Sequence, residues 1–173
     1  MLSPGQRIHD FTGEALYPSG EIGPIALAEY TGNWLVLFFW PLDFTHVCPT
    51  EIRGFNKLFP EFEALNCSVL GVSIDSAHAH RAWTGNGLGR VEFPLIGDLK
   101  RELVESLDIL HPDGVALRAT FIIDPDGVIQ SASANALPVG RSVRETMRQV
   151  QAFQSGQLTG CEWQPGEAYV IAA

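Results

Sequence analysis

Basic residues are scarce in this chain. Lysine and arginine number 11 against 20 aspartates and glutamates, giving a formal charge of −9. A surface of that sign repels a phosphate backbone, so nucleic acid is not an expected partner. Long apolar runs are also missing. No stretch approaches the roughly 18 apolar residues of a membrane-spanning helix, and no membrane partner is expected. The first residues, Met1-Leu-Ser-Pro-Gly-Gln-Arg-Ile-His9, have no basic start followed by an apolar run. They do not read as a secretory signal, and a cytoplasmic location is expected. Cysteine is confined to Cys48, Cys67 and Cys161. No two of these form a Cys-x-x-Cys, which argues against a zinc ribbon and a thioredoxin-type motif. An odd number of cysteines also argues against a structural disulfide framework. His9, His46, His78, His80 and His111 show no metal-ligand spacing. Repeats, low-complexity tracts and dividing linkers are absent, so residues 1–173 read as one domain.

The chain does have strands alternating with helices. Residues 1–33 are rich in Gly, Pro and short polar segments, with a small hairpin expected around Pro18-Ser-Gly-Glu21. Trp34-Leu-Val-Leu-Phe-Phe39 reads as a buried strand. From 48 to 66, Ile52, Phe55, Leu58, Phe59, Phe62 and Leu65 recur at helical spacing, with a kink or restart required at Pro60. Cys67 closes that segment, and 68–74 reads as a second buried strand. A short helix over 76–84 turns Trp83 inward, 91–96 is strand-like, and 99–106 suits a helix. Ala119-Thr-Phe-Ile-Ile123, the turn Asp124-Pro-Asp-Gly127 and a return strand from Val128 form a hairpin. Ser142 and Glu145 have capping-box spacing ahead of a helix with Val143, Met147, Val150 and Phe153 on one side. From about 155 the tail loosens into a short, mobile C-terminal segment. Such alternation implies an α/β fold with a mixed central β-sheet flanked by helices.

The reactive chemistry concentrates between Pro41 and Glu51. Cys48 stands where a buried strand gives way to a helix, with Pro49 directly after it. There the missing N–H of proline costs the helix nothing. The positive end of a helix favours the thiolate, and the thiolate is the form that reacts. Arg118 opens a buried strand, keeps its charge at any pH and is the best available cation. Thr45 precedes Cys48 by three residues; its hydroxyl suits either a helix N-cap or a donor to a bound oxygen. Pro41 offers no donor and can wall a pocket. Glu51 and Arg141 by themselves read as ordinary surface charges. Cys67 reads as an inert core thiol. His46 adjoins the active segment and reads mainly as a packing residue.

Pro41-Leu-Asp-Phe-Thr45 and Val47-Cys-Pro-Thr-Glu-Ile52 resemble the peroxiredoxin signature Pro-x-x-x-Thr/Ser-x-x-Cys, in its typical two-cysteine, AhpC-like form. His46 departs from it, standing where that branch usually has an aromatic residue. Further matching segments are Ser73-Ile-Asp-Ser76 with Ala82-Trp83, Phe93-Pro-Leu-Ile-Gly-Asp98, Leu117 to Pro125, and Val139-Gly-Arg-Ser142. The resemblance implies a thioredoxin-like fold and a thiol-dependent peroxidase. Its substrates would be hydrogen peroxide and organic hydroperoxides, with no cofactor. It assigns Pro41, Thr45, Cys48 and Arg118 to the active site, and it makes Glu51 bridge arginines, Arg141 among them. Cys48 would pass through a sulfenic acid, resolved by Cys161 as an intersubunit disulfide; the alternative is a one-cysteine mechanism with an external thiol. Cys161 lies two residues before Trp163 and is followed by Glu162. The branch usually has Val-Cys-Pro, with its cysteine in the slot of Thr159. The implied partners are thioredoxin or a flavoprotein disulfide reductase, and further copies of the chain as a homodimer or decamer. A different reading makes the chain an oligomeric holdase or redox-signalling binder using the same thiol.

Overall fold

The computed structural model describes residues 1–171. Seven strands form one mixed sheet: β1 Thr12–Leu16, β2 Ile22–Ala26, β3 Trp34–Phe39, β4 Cys67–Ser73, β5 Leu95–Gly97, β6 Arg118–Ile123 and β7 Ile129–Asn135. Their spatial order is β2-β1-β5-β4-β3-β6-β7. The pairs β3/β4 and β4/β5 are parallel, while β1/β2, β1/β5, β3/β6 and β6/β7 are antiparallel. Five α-helices accompany them: α1 Cys48–Lys57, α2 Phe59–Ala64, α3 Ala77–Trp83, α4 Glu102–Ser106 and α5 Val143–Ser155.

Strand β3 is apolar throughout because the sheet is covered on both faces. Leu35, Leu37 and Phe39 point into one core, with Leu70, Val72, Phe121 and Ile123. Val36, Phe38 and Trp40 point into the other, with Ile52 and Phe55 of α1 and Val150 of α5. Phe38 and Phe55 stack with ring centres 4.1 Å apart, fixing α1 against the centre of the sheet. Gly71 leaves room for this layer. A Cβ there would sit 2.8 Å from the Trp40 ring and 2.9 Å from that of Phe38.

Several elements differ from the sequence expectation. The hairpin around Pro18 is larger than expected, pairing β1 and β2 over five residues and joining the main sheet through β5. The restart expected at Pro60 is present: the segment after Cys48 is two helices broken at Leu58, with Pro60 in the first turn of the second. Cys67 begins β4 instead of closing a helix. The strand expected over 91–96 is shorter and shifted, pairing only over Leu95–Gly97, with Pro94 directly before it. The expected helix over 99–106 starts at Glu102, because Arg101 takes a left-handed backbone (φ 62°). At α5, Ser142 accepts the Glu145 N–H at 3.3 Å, but the Glu145 carboxylate turns to Arg148 and Gln149. The box is therefore half formed.

Candidate active site

The sheet register brings the site together. Phe38 of β3 pairs with Thr120 of β6. Two residues further along each strand, Arg118 comes beside Trp40, where the chain leaves β3 for the loop that leads to Cys48. That loop ends in α1, whose first residue is Cys48 and whose second is Pro49. The thiol is fully buried and free. Arg118 Nη1 lies 3.3 Å from its sulfur.

One turn into α1, Glu51 divides its carboxylate between two arginines. Oε2 accepts Arg118 Nη1 at 2.5 Å, and Oε1 accepts Arg141 Nε at 2.9 Å and the Arg141 backbone N–H at 3.1 Å. All three side chains are nearly excluded from solvent. Arg141 also donates to the Ala119 carbonyl at 2.6 Å, to Thr120 Oγ1 at 2.9 Å and to the Phe39 carbonyl. Its guanidinium carbon stands 5.4 Å from the Phe38 ring centre. Arg118 Nε donates to the Leu137 carbonyl at 2.6 Å. The two guanidinium groups are thus held in fixed positions by backbone and carboxylate together.

The charges in this cluster do not cancel among themselves. Two arginines face one glutamate, leaving one positive charge in a buried site. A buried charge without a partner is costly, and a negative sulfur at Cys48 would supply that partner. Burial pulls the Arg141 guanidinium below the ordinary arginine range, and Arg118 pushes the same way; Glu51 and Cys48 oppose them. The cluster can therefore hold negative charge on sulfur and offer donors to an oxygen beside it.

The other expected residues fall as follows. Pro41 is buried in the same loop. Thr45 is half-buried, and its hydroxyl donates to the Leu42 carbonyl at 2.9 Å. It is not an N-cap: Val47 holds that position, with no side-chain cap bond. His46 is exposed, so it has no packing role. Cys161 lies outside the cluster, exposed and free. Around it the tail is held to the body. Trp163 is buried and stacks on Tyr169 at 5.6 Å, and Arg148 of α5 donates to the Trp163 carbonyl at 3.0 Å. Among the described residues no group of three or more His, Cys, Asp or Glu could hold a metal ion, and no helix is long and apolar enough to cross a membrane.

The sequence reading missed two groups. Thr120 sits in an unbroken apolar stretch and looks like a strand residue, yet it receives Arg141. His80 and Asp43 form a buried pair at 2.7 Å. The available signal was that His80 precedes Trp83 by three residues and so shares its inward face.

Residues 4–132 match the model of the AhpC/TSA family. The chain belongs to that family. It is 48% identical over 173 residues to the chloroplastic 2-cysteine peroxiredoxin of Chattonella marina var. antiqua, covering 94% of this chain and 88% of that one. It is 47% identical over 156 residues to alkyl hydroperoxide reductase C of Mycobacterium tuberculosis, covering 89% and 80%. Among solved structures, the reduced 2-Cys peroxiredoxin of Plasmodium vivax superposes with a TM-score of 0.95 at 32% identity, covering 98% and 93% of the two chains. The fold is accordingly thioredoxin-like, and the protein is a peroxiredoxin of the AhpC-like branch. Its activity is that of a thiol peroxidase acting on peroxide.

Proposed function

We propose that Cys48 is the sulfur that attacks peroxide and that Cys161 regenerates it. The observation that carries this reading is the Arg118 guanidinium 3.3 Å from a fully buried sulfur. In the first step the Cys48 thiolate attacks the terminal, hydrogen-bearing oxygen of ROOH and displaces the other oxygen. The O–O bond breaks, an S–O bond forms, and the leaving alkoxide or hydroxide takes a proton to become alcohol or water. Sulfur is oxidised to a sulfenic acid. Arg118 is aimed where charge builds, and Glu51 and Arg141 keep it there. Pro41 closes the loop side of the site without adding a donor, and Thr45 supplies a hydroxyl from the same loop.

In the second step the Cys161 thiolate attacks the sulfenic sulfur; the S–O bond breaks and the leaving hydroxide takes a proton to become water, giving a disulfide. Cys161 is exposed in the tail beyond α5, and Cys48 is enclosed at the start of α1. Meeting therefore requires the first turn of α1 and the tail around Trp163 to open. The partner thiol comes from a second copy of the chain, as a homodimer that can assemble into a decamer. The disulfide is then reduced by thioredoxin or a flavoprotein disulfide reductase. The substrates are hydrogen peroxide and organic hydroperoxides, and the segment from about 155 is the mobile part of a single domain.

The test is a non-reducing gel after one equivalent of hydrogen peroxide. A covalent dimer is expected in the wild type and none in Cys48→Ser or Cys161→Ser. A dimer that persists in Cys161→Ser would discard the resolving assignment. Wild-type peroxide consumption in Cys48→Ser would discard the first step.

A further inference from the structure

A second buried ionisable cluster holds the loop that carries the sulfur. The side chains of His80 and Asp43 are 0% and 1% exposed. His80 Nε2 lies 3.1 Å from the Ile96 carbonyl, and Nδ1 lies 2.7 Å from Asp43 Oδ2. A carbonyl only accepts, so Nε2 carries a hydrogen. A neutral imidazole has no second N–H, and a bare Nδ1 facing a carboxylate at 2.7 Å would be repulsive. The pair therefore holds one proton more than neutral imidazole plus carboxylate. The Trp40 indole N–H donates to Asp43 Oδ1 at 2.9 Å, so the extra proton lies on the other side of the carboxylate, between Oδ2 and Nδ1.

We propose that His80 is a positioning residue for the peroxidase reaction: through Asp43 it holds residues 41–47, and with them the Cys48 sulfur, against Arg118. This rests on Cys48 being the reacting sulfur. The loop needs such a tie. Phe44, one residue beyond Asp43, has a left-handed backbone (φ 56°), a conformation that bulky side chains disfavour, and its largely exposed ring leans on Trp83 of α3 with ring centres 5.8 Å apart. Asp43 is the only loop residue held from three directions. Its carboxylate takes the Trp40 indole and the His80 ring, and its backbone N–H donates to Asp75 Oδ2 at 2.8 Å. Ser73 Oγ fixes Asp75 in turn, donating at 3.0 Å.

The other charged groups on the surrounding elements do not compete for His80. Asp75, in the turn after β4, is engaged by the loop backbone and Ser73. Asp98, at the end of β5, accepts the Val104 N–H. His78 and Arg81, on α3 itself, are exposed and contact each other. Tie and sulfur thus belong to one rigid path: α3 to Asp43, Asp43 to the loop, the loop to α1.

The test compares His80→Leu, which has no donor, with His80→Asn, whose amide can still donate to Asp43. The reading is the single-turnover rate of Cys48 sulfenic acid formation with hydrogen peroxide, on the full chain checked for folding by circular dichroism. His80→Leu is expected to react about tenfold more slowly, the rate equivalent of losing one hydrogen bond to a charged group, and His80→Asn to recover most of that loss. A folded His80→Leu at wild-type rate, or a His80→Asn as slow as His80→Leu, would overturn the proposal. If His80→Leu does not fold, Asp43→Asn is read in the same way. In the wild type, proton NMR is expected to show a far-downfield imidazole resonance that disappears in Asp43→Asn, and a neutral single-tautomer ring at His80 would equally overturn it. A rate that survives Cys48→Ser would instead fail the reading of the sulfur, so the two failures are distinct.

Discussion

Two cysteines are buried to the same degree in this protein, and their surroundings make them opposites. Cys67 begins β4, packed in the core that contains Val36 and Phe38. Its thiol donates to the Ser68 carbonyl at 3.6 Å and faces no cation. Burial pushes it up to about 12, with a backbone hydrogen bond from Val36 opposing weakly. Cys48 is no more exposed, yet it has a guanidinium at 3.3 Å and a net positive cluster behind it. Enclosure alone makes a thiol inert, whereas enclosure with a fixed cation makes it a site for a negative sulfur. In the proposed reaction, what separates the two sulfurs is therefore Arg118, Glu51 and Arg141, and not accessibility.

The strongest way to break that contrast is to remove the carboxylate. Glu51→Leu leaves two buried guanidinium groups without their shared counter-charge. Stripping one partner from a buried ion pair costs about 3–5 kcal/mol. Urea unfolding of the reduced protein is expected to show a loss of that size in Glu51→Leu. Cys67→Ala, which removes only a small apolar contact, is expected to cost about 1 kcal/mol. Similar losses in the two variants would mean that the charge cluster is no more than packing.

The next effect is on rate. Arg118→Met keeps much of the volume and removes the cation that faces the sulfur. Loss of one fixed donor at a site of developing charge lowers rate by about 10²–10³. Stopped-flow measurement with hydrogen peroxide is expected to show that drop, while Cys67→Ala reacts as the wild type does. A fall of less than fivefold in Arg118→Met would place the source of reactivity elsewhere.

How much of this was legible in the sequence depends on whether the signal was local. The strands β3, β4 and β6 are continuous apolar runs, so their burial was visible, as was Cys48 at the head of a helix before Pro49. Arg118 was visible because a charge directly before Ala-Thr-Phe-Ile-Ile needs a partner. Local pattern did not reveal what three-dimensional register creates. Glu51 and Arg141 are 90 residues apart and looked like surface charges until the sheet order brought them to 2.9 Å. His80 looked like one histidine among five, because its partner Asp43 lies 37 residues away on another element. Element ends were misplaced where a single backbone angle decides them, as at Arg101. The half-formed box at Ser142 failed for a side-chain reason, since Arg148 competes for Glu145.

Alkaline pH sharpens the contrast from the side of Cys67. In the unfolded chain its thiol titrates near the ordinary value of about 8.5. In the fold it titrates only at about 12. The folded state thus holds the proton more tightly, so its contribution to stability is complete below about pH 8.5 and drains away as pH rises toward 12. The loss is about 1.4 kcal/mol per pH unit, or about 2 kcal/mol by pH 10. Tyr30, raised to about 12, begins to contribute near pH 10 but does so equally in the wild type and in Cys67→Ala, so it cancels in the comparison. Unfolding free energies at pH 8 and pH 10 are expected to differ by about 2 kcal/mol less in Cys67→Ala than in the wild type. An equal slope in the two proteins would show that Cys67 is not the insulated thiol its surroundings describe.

The smallest effect concerns Thr45, whose hydroxyl stands three residues before Cys48. In the structure it donates to the Leu42 carbonyl and bridges one turn of the loop. A neutral hydrogen bond of this kind, half open to solvent, contributes about 0.5–1.5 kcal/mol. Thr45→Val keeps the shape and removes the donor, so a stability loss within that range is expected. Its effect on rate distinguishes two roles. If the hydroxyl only braces the loop, the peroxide rate should fall by no more than the stability loss allows, up to about tenfold. If it also donates to the bound peroxide, the rate should fall by about 10² or more, because a donor to the reacting oxygen is lost as well. Thr45→Ser, which keeps the donor and drops only a methyl group, should then restore the rate. Recovery by serine without recovery of stability would assign the hydroxyl to the reaction, and recovery of both together would leave it as a brace.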